Sequence, residues 1–138
     1  MKAAHPTLLA VFGLVLTACR HEPTDTERGV GVFQQGYMAM QEARYDDALR
    51  YFTTAERLIP GDAYVQLDLG VTLVHLGRRD EARAAFERAM ELGREVKSIT
   101  VTDPIYAGRT VAQLAADNIA GMDRADAAPA ASGGAAQH

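Results

Sequence analysis

The chain has 138 residues, 48% of them apolar, with a single Cys, no Trp and a formal net charge of −4. A chain of this length forms at most one small domain. Its acidic balance argues against a nucleic-acid partner, because no basic stripe is available to neutralise phosphates.

Residues 1–18 read as an export signal. Lys2 supplies a positive start, Leu8 to Leu16 an apolar run, and Leu16-Thr17-Ala18-Cys19 the end. The run is too short to span a bilayer as a mature helix but suits a signal-peptide core. The final tetrapeptide resembles the bacterial lipobox, with Ala18 before the cut. That resemblance implies lipid attachment at Cys19 and a membrane association through that anchor. The other reading of Cys19 is a free thiol left after ordinary cleavage. In an oxidising compartment such a thiol lacks a partner, whereas alkylation removes the liability. Arg20, not Asp, follows the Cys, so the resemblance points to the periplasmic face of the outer membrane in a Gram-negative bacterium. Residues 19–26 form the lipidated tether, which at about 3.5 Å per residue reaches roughly 28 Å.

Thr24 and Glu27 have capping-box spacing, which predicts a first helix starting there and running to about Glu42. A second covers Tyr45 to Leu58 and stops at the Pro60-Gly61 breaker pair. Asp62 caps a third helix from Ala63 to Leu76, closed by Gly77, and a fourth runs from about Asp80 to Leu92, closed by Gly93. An offset of 34 residues aligns Gly36 with Gly70, Arg44 with Arg78, Ala48 with Ala82 and Phe52 with Phe86. It also aligns Ala55 with Ala89 and Leu58 with Leu92. A period in this range marks stacked supersecondary units. Each block has a small residue early in one helix and an Ala, Phe, Ala series down the next. In this the repeat resembles the tetratricopeptide repeat (TPR), with units at 29–62 and 63–96. The resemblance implies an all-α solenoid. Val32 and Gln66 stand where the family usually has a large aromatic, Gln35 replaces a Leu, and Arg94 replaces the closing Pro. Gly36, Gly70, Ala48 and Ala82 are expected where paired helices cross closely, with Phe52 and Phe86 filling the space between one unit and the next.

Two such units are marginal alone, because about three are needed to bury a continuous core. The segment 103–122 is the candidate cap: Asp103 as N-cap, Pro104 at the first helical position, then Ile105, Val111, Leu114, Ala115 and Ile119 along one face. Between the last unit and this helix, residues 96–102 are rich in β-branched types and read as an extended connector. From Asp123 to His138 the Ala, Gly, Pro and Ser content without periodicity reads as a disordered tail.

In TPR proteins the first helix of each unit lines a concave groove. The resemblance places Val30, Phe33, Tyr37 and Met40 there from the first unit, and Tyr64, Leu67, Val71 and Val74 from the second. Gln34, Gln41, Asp68 and His75 hold the neighbouring polar positions. An apolar surface of this kind suits an amphipathic helix or an extended apolar segment of a protein partner. The competing reading is that these residues pack internally or under the chain's own last helix.

Enzyme signatures are absent: no Gly-x-Ser-x-Gly, no phosphate-cradling Gly loop and no His-Glu-x-x-His. His75 is the one His inside the helical region, too few for a metal site. Asp46, Asp47, Asp80 and Glu81 sit at helix starts, where they meet the positive end of the helix dipole. No catalytic residue, cofactor or metal is therefore assigned. The leading expectation is a non-enzymatic adaptor that binds a protein partner at the outer membrane. It is similar to small TPR lipoproteins that assist pilus or secretion-machine assembly, above all the tight-adherence (Flp) pilus type. The alternative is a regulatory lipoprotein that binds a peptidoglycan-remodelling enzyme.

Overall fold

The computed structural model describes residues 22–97 and 108–128. Five helices follow in order: α1 Asp25–Gln41, α2 Tyr45–Leu58, α3 Ala63–His75, α4 Arg79–Leu92 and α5 Val111–Ala127. α1 pairs with α2 and α3 with α4 as hairpins, and α3 then packs on α2 and reaches α1. α5 sits on α4 and α3 in the same manner, so it takes the place of a third unit's first helix. The architecture is all-helical, consistent with a TPR solenoid. Among the described residues the one extended pairing is an isolated antiparallel bridge between Lys97 and Thr110. The leader 1–18, Cys19 and the first residues of the tether, connector residues 98–102, the Asp103-Pro104-Ile105 start and residues 129–138 lie outside the described residues.

The helix starts follow the capping chemistry. At α1 the Thr24 hydroxyl accepts from the Glu27 amide, and the Glu27 carboxylate accepts from the Thr24 amide at 2.8 Å. At α3 the Asp62 carboxylate accepts from the Tyr64 and Val65 amides at 2.9 and 3.1 Å. α2 and α4 start at Arg44 and Arg78 with no side-chain cap. Their first turns carry Asp47 and Glu81 instead, each 2.6 Å from the arginine three residues before it. The hydrogen bonds from Arg44 and Arg78 hold both carboxyls below their usual range. All four side chains are substantially solvated, so these pairs orient the turns and contribute little to stability.

The ends of α1 and α3 are the same motif 34 residues apart. The amides of Arg44 and Arg78 reach back to the carbonyls of Ala39 and Leu73, both at 2.9 Å, and those of Ala43 and Gly77 to Met40 and Val74. This is a Schellman closure, which needs a left-handed residue after the cap. Gly77 supplies it at φ +73°, but in the first unit the same place is held by Ala43 at φ +57°. A Cβ in that region costs roughly 1 kcal/mol. Ala43→Gly should therefore raise stability by about 0.5–1 kcal/mol, read as a higher urea midpoint with an unchanged slope. An unchanged or lower midpoint would contradict the assigned backbone.

Phe52 and Phe86 are fully buried, but each fills the crossing within its own hairpin. A Cβ on Gly36 would come within 2.7 Å of the Phe52 ring, and one on Gly70 within 2.5 Å of the Phe86 ring. The glycines are thus the sockets of these rings, which corrects the placement of the two Phe between units. Phe33 extends the first cluster, its ring centroid 5.6 Å from that of Phe52. The seam between units is closed differently. Gln66, fully buried in place of an aromatic, donates from its amide to Glu56 on α2 at 2.9 Å.

The last helix differs from its predicted bounds at both ends. α5 begins at Val111, not at Asp103, because Gly108 turns at φ +75° and Thr110 and Gln113 form a second capping box. The amide of Val111 donates to the carbonyl of Val96 at 2.8 Å, which holds the start of α5 against the end of the second unit. Val111, Leu114, Ala115 and Met122 are buried and Ile119 is half-buried. At its far end α5 continues through residues 123–127, which the composition assigned to a tail. Arg79 on α4 holds that end, donating to the carbonyl of Met122 at 2.8 Å and pairing with Asp126 at 2.7 Å. Arg83 pairs with Asp123 beside it.

Candidate functional site

α1 and α3 lie side by side because each is the first arm of a hairpin, so their outward faces form one surface. Of the residues assigned to that surface, Val30 and Tyr37 are 46% and 47% exposed. Phe33, Met40, Tyr64, Val71 and Val74 are half-buried against the core, and Leu67 is buried. The surface is therefore graded, open along α1 and drier along α3. Thr72 and Met40 tie the two helices together, the hydroxyl lying 3.8 Å from the sulfur.

Two residues depart from their assigned roles, and a third had none. Tyr64 does not offer a free hydroxyl, since it donates to the carbonyl of Lys97 at 2.7 Å. It anchors the end of the second unit. His75 lies two helical turns from Asp68 and stacks instead on Tyr45 at the start of α2, with ring centroids 4.2 Å apart and planes within 5°. Met38 was not assigned to the surface, yet it is 60% exposed beside Tyr37. The signal that could have found it is the stretch from Gly29 to Gln41, which contains no charged residue. An end helix uncharged beyond its first turn is unusual in a stacked-repeat protein, where the terminal units normally carry a polar outer face.

Asp68 is the electrostatic exception on this surface. It lies on α3 between Leu67 and Leu69, half-buried, and among the described residues its carboxylate has no hydrogen-bond or ion-pair partner. Desolvation, with a smaller contribution from the nearby Asp62 charge, pushes its pKa up to about 7. A raised carboxyl pKa means the folded state disfavours the ionised form. The penalty is absent below about pH 4, grows as the unfolded chain ionises, and is complete above about pH 7. At about 1.4 kcal/mol per pK unit it amounts to roughly 2–4 kcal/mol. Asp68→Asn should thus stabilise the chain by that order at pH 8 and by nothing near pH 4. Thermal melts of both proteins across this range check the sign, and an equal difference at all pH values would exclude ionisation as the cause.

Two open hollows lie elsewhere. One, of about 420 Å3, is lined by Glu87, Met90, Glu91, Arg94 and Ala112, and the other, of about 350 Å3, by residues 43–47 and Leu76. Neither includes any residue of the α1–α3 surface, which is a shallow face suited to a polypeptide more than to an enclosed small molecule. Among the described residues no group of three or more His, Cys, Asp or Glu could hold a metal ion. No helix there is long and apolar enough to cross a membrane.

A comparison with curated proteins gives no match. The scan against family models matches residues 39–97 to the tetratricopeptide repeat. That range takes in α2, α3 and α4 with the turns between them. TPR units are typically non-catalytic and bind other proteins. Paired helices repeating at 34 residues, glycine sockets for buried Phe rings and this match together support a TPR protein with a protein-interaction role.

Proposed function

We propose that this chain is an adaptor that captures a protein segment on the α1–α3 face while a lipid on Cys19 holds it at the periplasmic side of the outer membrane. The observation that carries the binding reading is the uncharged, open stretch of α1 from Gly29 to Gln41, where Val30, Tyr37 and Met38 stand well exposed. Tyrosines and methionines in such settings supply large contact area at low entropic cost. The face suits an amphipathic helix or an extended apolar segment of the partner. The anchor reading rests on Leu16-Thr17-Ala18-Cys19 and the short apolar run before it. Two or three acyl chains would make the attachment effectively permanent, because each buried methylene adds about 0.8 kcal/mol. In this reading the adaptor assists assembly of a pilus or secretion machine, such as that of a tight-adherence pilus.

Each half has its own test. Cys19→Ser should abolish metabolic labelling with a fatty-acid analogue, and recovery of wild type as an unlipidated soluble species would overturn the anchor. Tyr37→Ala with Met38→Ser should weaken cross-linked partner capture by about 30-fold or more, the usual cost of losing a dominant aromatic contact. Both side chains are exposed, so the helical signal should persist. A folded double variant that recovers the same partner at wild-type yield would move binding off this face. Tyr64 is unsuitable for that test, because its truncation also removes the bond to Lys97.

A further inference from the structure

Asp68 is a poor residue for a merely structural role. Its carboxylate lies half-buried between the buried Leu67 and Leu69, and among the described residues no cation acts on it, whereas the like charge of Asp62 does. α1 is uncharged from Gly29 to Gln41, and its one cation, Arg28, pairs with Asp25 in the first turn. Four of the five arginines of the second unit are engaged elsewhere, Arg78 with Glu81, Arg79 with Asp126, Arg83 with Asp123 and Arg88 with Glu56. A lone carboxylate kept on an otherwise apolar surface destabilises the free protein and becomes favourable only when a cation meets it.

We propose that the segment bound by this face carries a single Lys or Arg within an apolar or aromatic frame, and that its cation pairs with Asp68. This deepens the adaptor reading and rests on it. Lys and Arg suit the position, because their apolar stems can lie along Leu67 and Val71 while the charged head reaches the carboxylate. A second acidic residue in the segment would be rejected by Asp68 and Asp62 together. The recognition is therefore selective as well as attractive.

The test uses the full chain, purified in detergent and used to select from a library of random displayed peptides at neutral pH. Wild type should enrich apolar sequences with one recurrent Lys or Arg. The best peptide and its Lys→Leu counterpart are then titrated against wild type, Asp68→Asn and Tyr37→Ala. Asp68→Asn should weaken the cationic peptide by about 10-fold or more and change the Leu peptide by less than about 2-fold. Folding is not at issue, because that substitution removes an unpaired carboxylate. If enriched peptides lack the cation, or Asp68→Asn binds the cationic one unchanged while Tyr37→Ala abolishes binding, the pairing is wrong and the groove stands. If no peptide is enriched, or Tyr37→Ala binds like wild type, the groove itself is wrong and the pairing falls with it.

Discussion

Gly70→Val should leave the chain unable to fold, and Gly70→Ala should lower its melting temperature by about 5–10 °C. A Cβ at this position meets three atoms of one ring, at 2.5, 2.6 and 2.9 Å. The ring belongs to Phe86, which is fully buried and has no open side to swing toward. Overpacking of that kind costs about 1–3 kcal/mol even for one methyl, partly offset by the better helix propensity of Ala over Gly, about 1 kcal/mol. Valine adds two further methyls at the same contact. A small domain has only about 5–15 kcal/mol in hand, and a loss of 1 kcal/mol moves its midpoint by about 4–8 °C. Gly31 is the control within the same fold. It is also helical, but a Cβ there meets nothing within 4 Å, so Gly31→Ala should stabilise by up to about 1 kcal/mol. Phe86→Leu placed in the Gly70→Ala background should recover part of the loss, as coupled neighbours do. A Gly70→Ala protein that melts like wild type would mean the ring has room.

Truncation after Lys97 should cost most of the helical signal and leave an aggregating chain. Without α5 the outer face of α4 would lose its cover from Val111, Leu114, Ala115 and Met122, all buried in the complete fold. Each large aliphatic among them contributes about 1.5–3 kcal/mol when buried, a sum comparable to the whole stability of such a domain. Leu114→Asp should reproduce much of the effect without shortening the chain, because it buries an unpaired charge. The two ends of the last segment separate cleanly. Ending the chain at Ala128 should leave the melting temperature nearly unchanged. Ending it at Gly121 should lower it measurably, since Arg79 and Arg83 lose Met122, Asp123 and Asp126. If the chain ended at Lys97 melts like the full protein, the two units are self-sufficient.

The sequence was most legible where one residue type has one physical use. Thr24 with Glu27, Asp62 before Ala63 and Gly77 after α3 all mark boundaries through backbone chemistry, and α2 follows its predicted span from Tyr45 to Leu58. It was least legible where a role depends on a distant partner. Thr110 and Gln113 form a capping box as plain as the first, yet Asp103-Pro104 is an equally good local signal, and only the return of Val111 to Val96 separates them. Residues 123–127 are Ala and Asp with one Arg, a composition that reads as tail until Arg79 and Arg83 on another helix are seen to hold it. On the groove side, the family register marked Val30 and Tyr37, which are open. It could not reveal that Tyr64 is tied to Lys97, nor that among the described residues nothing answers the charge of Asp68.

The order of packing also has a kinetic consequence. Every extensive helix contact joins neighbours in the chain, α1 to α2, α2 to α3, α3 to α4 and α4 to α5, and only slight ones skip a helix. Folds built from such local contacts have low contact order and form rapidly, because little loop entropy must be surrendered before contacts repay it. A chain delivered N-terminus first can close the α1–α2 hairpin before α3 has emerged. It cannot complete the stack until α5 docks on α4, so commitment to the folded state waits on the last helix to arrive.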